Sequence, residues 1–170
     1  QVEASVVGDP LEKSTTMGPL SSESGLQDIE KQVRESVEKG ATIVTGGKRI
    51  GDKGYFYAPT ILSDVKPGMR AYEEELFGPV ASVIRAKDTE DAVRIANDSR
   101  FGLGSNIWTQ NIELAKQIAP RIHAGCVFIN GMVKSDPRLP FGGTGVSGYG
   151  RELSDYGLKE FVNVKTVWIG

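Results

Sequence analysis

The chain has 170 residues, 39% of them hydrophobic and 25% charged, with a formal net charge of −2. That is enough apolar chain to bury a core, which excludes a disordered polar chain; no run approaches the roughly 18 apolar residues of a membrane span, and the charge leaves no electrostatic footprint for nucleic acid. One cysteine and one histidine exclude a disulfide framework and a cysteine or histidine metal set, while glycine stands out at 21 residues, against an average usage of about 7%.

The chain opens Gln1-Val2-Glu3-Ala4-Ser5, without a methionine, a basic start or an apolar run with a cleavage site. No secretory signal is read, and a cytoplasmic protein with a free thiol is expected. The missing methionine leaves two readings, processing of the start or a piece of a longer chain. Residues 1–20 read as irregular, with turns at Gly8-Asp9-Pro10 and Gly18-Pro19. Ser21 and Ser22 precede an apolar stripe of Leu26, Ile29, Val33 and Val37, which predicts a helix over 23–39 closed by Gly40. Residues 41–45 predict a short buried strand before Gly46-Gly47. Strand fragments are expected at 55–57 and 59–62, around a proline, and a strand at 79–85. Asp88, with Asp91 three residues on, caps a helix predicted over 88–97. A strand at 106–109, a helix capped by Asn111 and running to 119, and a strand of buried type at 126–130 follow. A glycine-rich stretch from Phe141 to Gly150 leads into a short helix at 151–157 and an extended end at 161–169. Helices alternating with strands imply an α/β layer structure with a largely parallel sheet. No repeat, low-complexity tract or linker divides it.

Few segments could carry chemistry. Gly143-x-Gly145-x-x-Gly148 spells the dinucleotide fingerprint, but Pro140-Phe141-Gly142 precede it instead of a strand, and a turn follows instead of a long helix. Cys126 is the only thiol; at the head of an apolar run it reads as a packing residue rather than a nucleophile, and His123 is too close along the chain to serve as its base. Glu73-Glu74-Glu75-Leu76-Phe77-Gly78-Pro79 reads two ways. It is a solvated acidic loop, or it places a carboxylate to accept hydrogen bonds from hydroxyls, with an aromatic beside it for a flat ligand. Glu152, after Arg151, would sit in the first turn of a helix and complement its dipole. Lys134, Ser135 and Arg138 form a basic loop after a strand, either solvated or placed for an anion.

Several of these segments recur in order: Glu75-Leu76-Phe77-Gly78-Pro79-Val80, Phe101-Gly102-Leu103, Ala124-Gly125-x-Val127-x-Ile129-Asn130, Pro140-Phe141-Gly142-Gly143, Ser147-Gly148-x-Gly150-Arg151-Glu152 and Tyr156-Gly157-Leu158. Together they resemble the C-terminal part of the NAD(P)-dependent aldehyde dehydrogenase superfamily, over nearly the whole chain. The Ser135-Asp136-Pro137-Arg138 loop is most similar to bacterial succinate-semialdehyde dehydrogenases. The resemblance implies a three-layer α/β/α fold with a largely parallel sheet, with part of the catalytic domain over 1–160 and an oligomerisation-type strand over 161–170. It also implies oxidation of a small aldehyde, succinate semialdehyde or a similar semialdehyde, to the carboxylic acid with NAD or NADP. In this family a cysteine thiolate attacks the carbonyl, hydride passes to the nicotinamide and water releases the acid. The family places that cysteine, the general-base glutamate, the oxyanion asparagine and the cofactor domain upstream of these motifs. The chain is therefore expected to be a fragment, inactive alone and without tight cofactor binding. Its expected partners are the remainder of the parent chain and further copies in a homo-oligomer, with no nucleic acid, membrane or metal. The competing expectation is a stand-alone, non-catalytic binding or assembly module of the same fold.

Residue by residue, the resemblance implies that Glu75 receives the nicotinamide-ribose hydroxyls and that Phe77 lies beside the nicotinamide. Asn130 would support the catalytic loop, Phe141 would lie at the substrate tunnel, and Glu152 matches a glutamate linked in some members to proton release. Ser135 and Arg138 are the candidates for a substrate carboxylate, since arginine offers a bidentate fork. One position departs from the family: Gly145 stands where many members carry lysine, and this change creates the apparent dinucleotide fingerprint.

Overall fold

A computed structural model describes residues 1–170, which fold as two compact units, Gln1–Arg85 and Ala86–Gly170. In the first unit helix α1 (Glu23–Glu38) starts where the Ser22 hydroxyl accepts the Gly25 N–H at 3.1 Å. Its stripe lands as the spacing predicts: Leu26, Ile29 and Val33 are buried, and Val37 lies at the exposed edge. Strands β1 (Thr42–Thr45), β2 (Thr60–Ser63) and β3 (Val80–Ser82) form one sheet with β2 central, antiparallel to β1 and parallel to β3. Leu62 is fully enclosed and joins Tyr57, Val65, Met69 and Ala71 against the α1 stripe in one core.

Strand β1 corrects the reading of 41–45 as buried: it is an edge strand with Ile43 and Val44 exposed. A four-residue apolar run does not by itself distinguish an edge strand from a central one. A one-turn helix, α2 (Arg70–Glu73), is too short to show periodicity in the sequence.

The second unit holds α3 (Thr89–Asn97), capped by Asp88 accepting the Asp91 N–H at 2.8 Å, and α4 (Ile112–Ile118), capped by Asn111 accepting the Leu114 N–H at 3.0 Å. Both caps match the sequence reading. Between and after them run β4 (Gly104–Ile107) and β5 (Cys126–Ile129), a parallel pair in register from Gly104 opposite Cys126 to Ile107 opposite Ile129. Strand β4 begins earlier than expected because this pairing recruits Gly104 and Ser105.

Helix α5 (Ser154–Lys159) starts later than the expected 151. Glu152 is held instead in a backbone bridge to Phe141, and Leu153 at φ +63° is not helical. Residues 163–170 belong to no helix and pair with no strand of the chain. The chain is thus a mixed α/β fold of small sheets, in which β2·β3 and β4·β5 pair in parallel and β1·β2 antiparallel. No helix is long and apolar enough to cross a membrane.

Candidate active-site surfaces

The three adjacent glutamates of the first unit do three different jobs. Glu73 accepts the Gly68 N–H at 2.8 Å and so caps its own turn. Glu74 takes a two-point grip from Arg70, with Nε at 2.8 Å and Nη2 at 2.7 Å, and a third donor in Gln32 Nε2 at 2.9 Å. Glu75 has neither fate: its carboxylate meets no donor of the chain. From Glu74 to Gly78 burial alternates, so that Glu75 and Phe77 share the outward face while Leu76 packs against the core. Phe77 is 80% exposed.

This outward face is held firmly from behind. Gln32, buried on α1, also donates to the Glu75 carbonyl oxygen at 3.1 Å. Ser36, fully buried one turn on, donates to the Gln32 carbonyl at 2.7 Å and accepts the Ala71 N–H at 2.9 Å, which ties α1 to α2. Gly78 lies so close to α1 that a Cβ there would stand 2.9 Å from Cγ1 of Ile29. In front is an open cleft of about 910 Å³ bordered by Ser22, Asp28, Gln32, Glu75 and Phe77. Its size suits a mononucleotide or a comparable ligand. An unpaired carboxylate and an uncovered aromatic on one face fit the hydroxyls and the flat ring of a nicotinamide riboside. Glu73 and Glu74 are engaged within the chain, and the Glu75 carboxylate is exposed.

In the second unit Asn130 sits at φ +52° immediately after β5. Its Oδ1 accepts the Thr109 N–H at 2.9 Å and its Nδ2 donates to the Thr109 carbonyl at 2.8 Å, adding a side-chain rung beyond Ile129. The loop that follows carries Ser135 and Arg138, both exposed. The Arg138 fork is engaged within the loop: Nε and Nη2 reach the Asp136 carboxylate at 2.9 and 2.6 Å, leaving Nη1 open. That contact, with the Arg138 N–H second, holds the Asp136 carboxyl down at about 2. The Ser135 hydroxyl makes no hydrogen bond within the chain.

Phe141 and Glu152 come together as a reciprocal backbone pair, with N–H to O distances of 2.9 and 2.8 Å. They border a shallow cleft of about 390 Å³. Of the glycines between them, Gly142 and Gly143 serve close packing, while Gly145, Gly148 and Gly150 take positive φ. A Cβ on Gly125 would overlap the carbonyl oxygen of Gly142, and Arg151 Nη1 reaches back to the carbonyls of Gly143 and Gly150 at 2.9 and 2.6 Å. Gly145 to Ser147 is a single 3₁₀ turn that opens no long helix, so the fingerprint spelling builds no phosphate cradle. Cys126 is half-buried in the ladder opposite Gly104, and no hydrogen bond joins its thiol to His123. Gln32, Arg70 and Asp136 were not singled out from sequence. Each acts through a partner; Gln32 and Arg70 lie in no motif, and Asp136 lies in the Ser135-Asp136-Pro137-Arg138 loop with no role of its own assigned there.

The aldehyde dehydrogenase family model matches residues 1–167, and the chain belongs to that family. Among curated relatives, the NADP(+)-dependent succinate-semialdehyde dehydrogenase 1 of Mycobacterium tuberculosis is 52% identical over 163 residues, 96% of this chain and 36% of that protein. The chain thus spans little more than a third of the length of the curated relatives it matches. Among solved structures, the succinic semialdehyde dehydrogenase of Streptococcus pyogenes in complex with NADP+ superposes with a TM-score of 0.94 at 40% identity, covering 99% of this chain and 37% of that one. The NAD+ complex of an aldehyde dehydrogenase from Bacillus cereus gives 0.93 at 39% identity, over 99% of this chain and 34% of that one.

Proposed function

We propose that this chain is the part of an NADP-dependent succinate-semialdehyde dehydrogenase that supplies one cofactor-binding face and part of the substrate-binding surface. The observation that carries the reading is Glu75, the one carboxylate of three left unpaired, beside the uncovered ring of Phe77 on a face braced by Gln32. Glu75 would accept hydrogen bonds from the ribose hydroxyls, and Phe77 would cover one side of the nicotinamide and exclude water there. The cofactor, when bound, supplies the hydride acceptor. The attacking thiolate lies in a part of the family's sequence that this chain does not contain, and Cys126, in its ladder, does not stand in for it. Taken alone, the chain is therefore expected to be inactive.

On the second unit, Arg138 would turn its open Nη1 toward the far carboxylate of a semialdehyde, with the Ser135 hydroxyl as a second donor. Phe141 would present an apolar wall, and the exposed Glu152 carboxylate would accept a proton during release of the acid. Asn130 would fix the loop that carries Ser135 and Arg138. Residues 161–170 would add a strand to another copy; the unpaired backbone of 163–170 and the exposed side chains of Phe161, Val164 and Trp168 support this.

The test is NADPH formation by the natural gene product with succinate semialdehyde against butanal, which lacks the carboxylate. Arg138→Gln is expected to raise KM for succinate semialdehyde about tenfold and to leave butanal within about twofold. Equal effects on both aldehydes would overturn the assignment of Arg138.

A further inference from the structure

We infer that Gln32 is a positioning residue for the cofactor, acting through Glu74 and the Glu75 main chain; the inference rests on the reading of Glu75 given above. The geometry is specific. One side-chain nitrogen, Gln32 Nε2, donates both to Glu74 Oε2 at 2.9 Å and to the Glu75 carbonyl at 3.1 Å. It comes from a residue 7% exposed in the middle of α1, more than forty positions away in sequence. A polar side chain buried at that depth is retained at a cost unless its donors are used, and here the donor nitrogen is spent on the two residues whose backbone sets where Glu75 points.

The rest of the cluster completes a brace. Arg70 holds Glu74 from the far side and reaches Glu35 of α1 at 3.4 Å, so Glu74 is fixed between two elements of the core. Glu74 is the anchor, Gln32 the tie, and Glu75 the free end that projects into the cleft. With the carbonyl of Glu75 fixed, its side chain has only its own rotamers left to lose when a ligand arrives, and less ordering cost falls on binding. Gln32 directs its side-chain hydrogen bonds to Glu74 and the Glu75 carbonyl, within the first unit. Its removal is therefore expected to change cofactor affinity without changing the chemistry.

The test compares steady-state kinetics of the natural gene product and four variants, varying NADP+ and succinate semialdehyde separately. Gln32→Met keeps the length and apolar volume and removes the donor. Glu74→Met removes the anchor and carries the same test if Gln32→Met does not accumulate. Each is expected to raise KM for NADP+ about five- to tenfold, with KM for the aldehyde and kcat within about twofold. The double variant should be no worse than the worse single one, because both remove the same brace. Glu75→Gln is the control. If it raises KM for NADP+ and Gln32→Met does not, the inference is overturned and the reading of Glu75 stands. If Glu75→Gln changes nothing, the reading of the site fails and takes the inference with it. If Gln32→Met lowers kcat, both affinities and the melting temperature together, Gln32 is a packing residue and the inference is overturned.

Discussion

Asn130 closes the β4·β5 ladder with its side chain, and two substitutions separate what that costs. Asn130→Ala removes the two hydrogen bonds to Thr109, at 2.9 and 2.8 Å, and leaves a Cβ-bearing residue at φ +52° with no polar group to compensate. Each such hydrogen bond contributes about 1 kcal/mol net, less where water takes its place, as it partly does at this exposed residue. The left-handed conformation costs alanine roughly 1–2 kcal/mol. The expected loss is about 2–3 kcal/mol. Asn130→Gly forfeits the same hydrogen bonds but adopts φ > 0 freely, so it should be the milder variant by about 1 kcal/mol. Urea unfolding of the natural protein and its variants gives the free energies, and hydrogen exchange at the Thr109 amide, faster in both variants, reports the lost rung directly. A glycine variant as unstable as the alanine one, or an unchanged Thr109 exchange rate, would refute the reasoning.

Three further outcomes follow from the packing and charge of the chain. Gly125→Ala sets a Cβ against the Gly142 carbonyl, where both sides are backbone and neither can turn aside, so it should cost about 1–3 kcal/mol or more in urea unfolding; a variant as stable as the parent would count against this packing. Burial, with the Glu30 carboxylate second, pushes the Tyr57 phenol up to about 12. The native chain therefore keeps a proton that the unfolded chain releases near pH 10, and stability falls as pH rises from about 10 to about 12. Tyr57→Phe should flatten that fall, and an identical pH dependence would contradict it. Phe77→Ala should raise KM for NADP+ several-fold while leaving the melting temperature of the unliganded protein nearly unchanged, because the ring is 80% exposed; a large drop in melting temperature would make Phe77 structural.

What was legible in the sequence was local. The stripe Leu26, Ile29, Val33 and the caps Ser22, Asp88 and Asn111 depend only on residues within a turn or two, and each landed where its spacing indicated. What was not legible depends on partners far along the chain. The exposure of β1 follows from its place at the sheet edge, and the late start of α5 from the bridge between Glu152 and Phe141. The site divides in the same way. The acidic segment alone showed a carboxylate with an aromatic beside it, and only the resemblance selects Glu75 and Phe77. The different fates of Glu73, Glu74 and Glu75 were not readable, because they are decided by Gly68, by Arg70 and by Gln32. The engagement of Arg138 by Asp136 was not legible either, because two residues in an irregular loop have no periodicity that fixes whether their side chains meet.

The account stands most directly on Glu75 as a cofactor ligand. The measurement is the dissociation constant of NADP+ for the natural gene product and its Glu75→Gln variant, titrated at fixed salt. Loss of the charged acceptor is predicted to weaken binding at least about tenfold with no change in the fold. An unchanged dissociation constant would contradict the account.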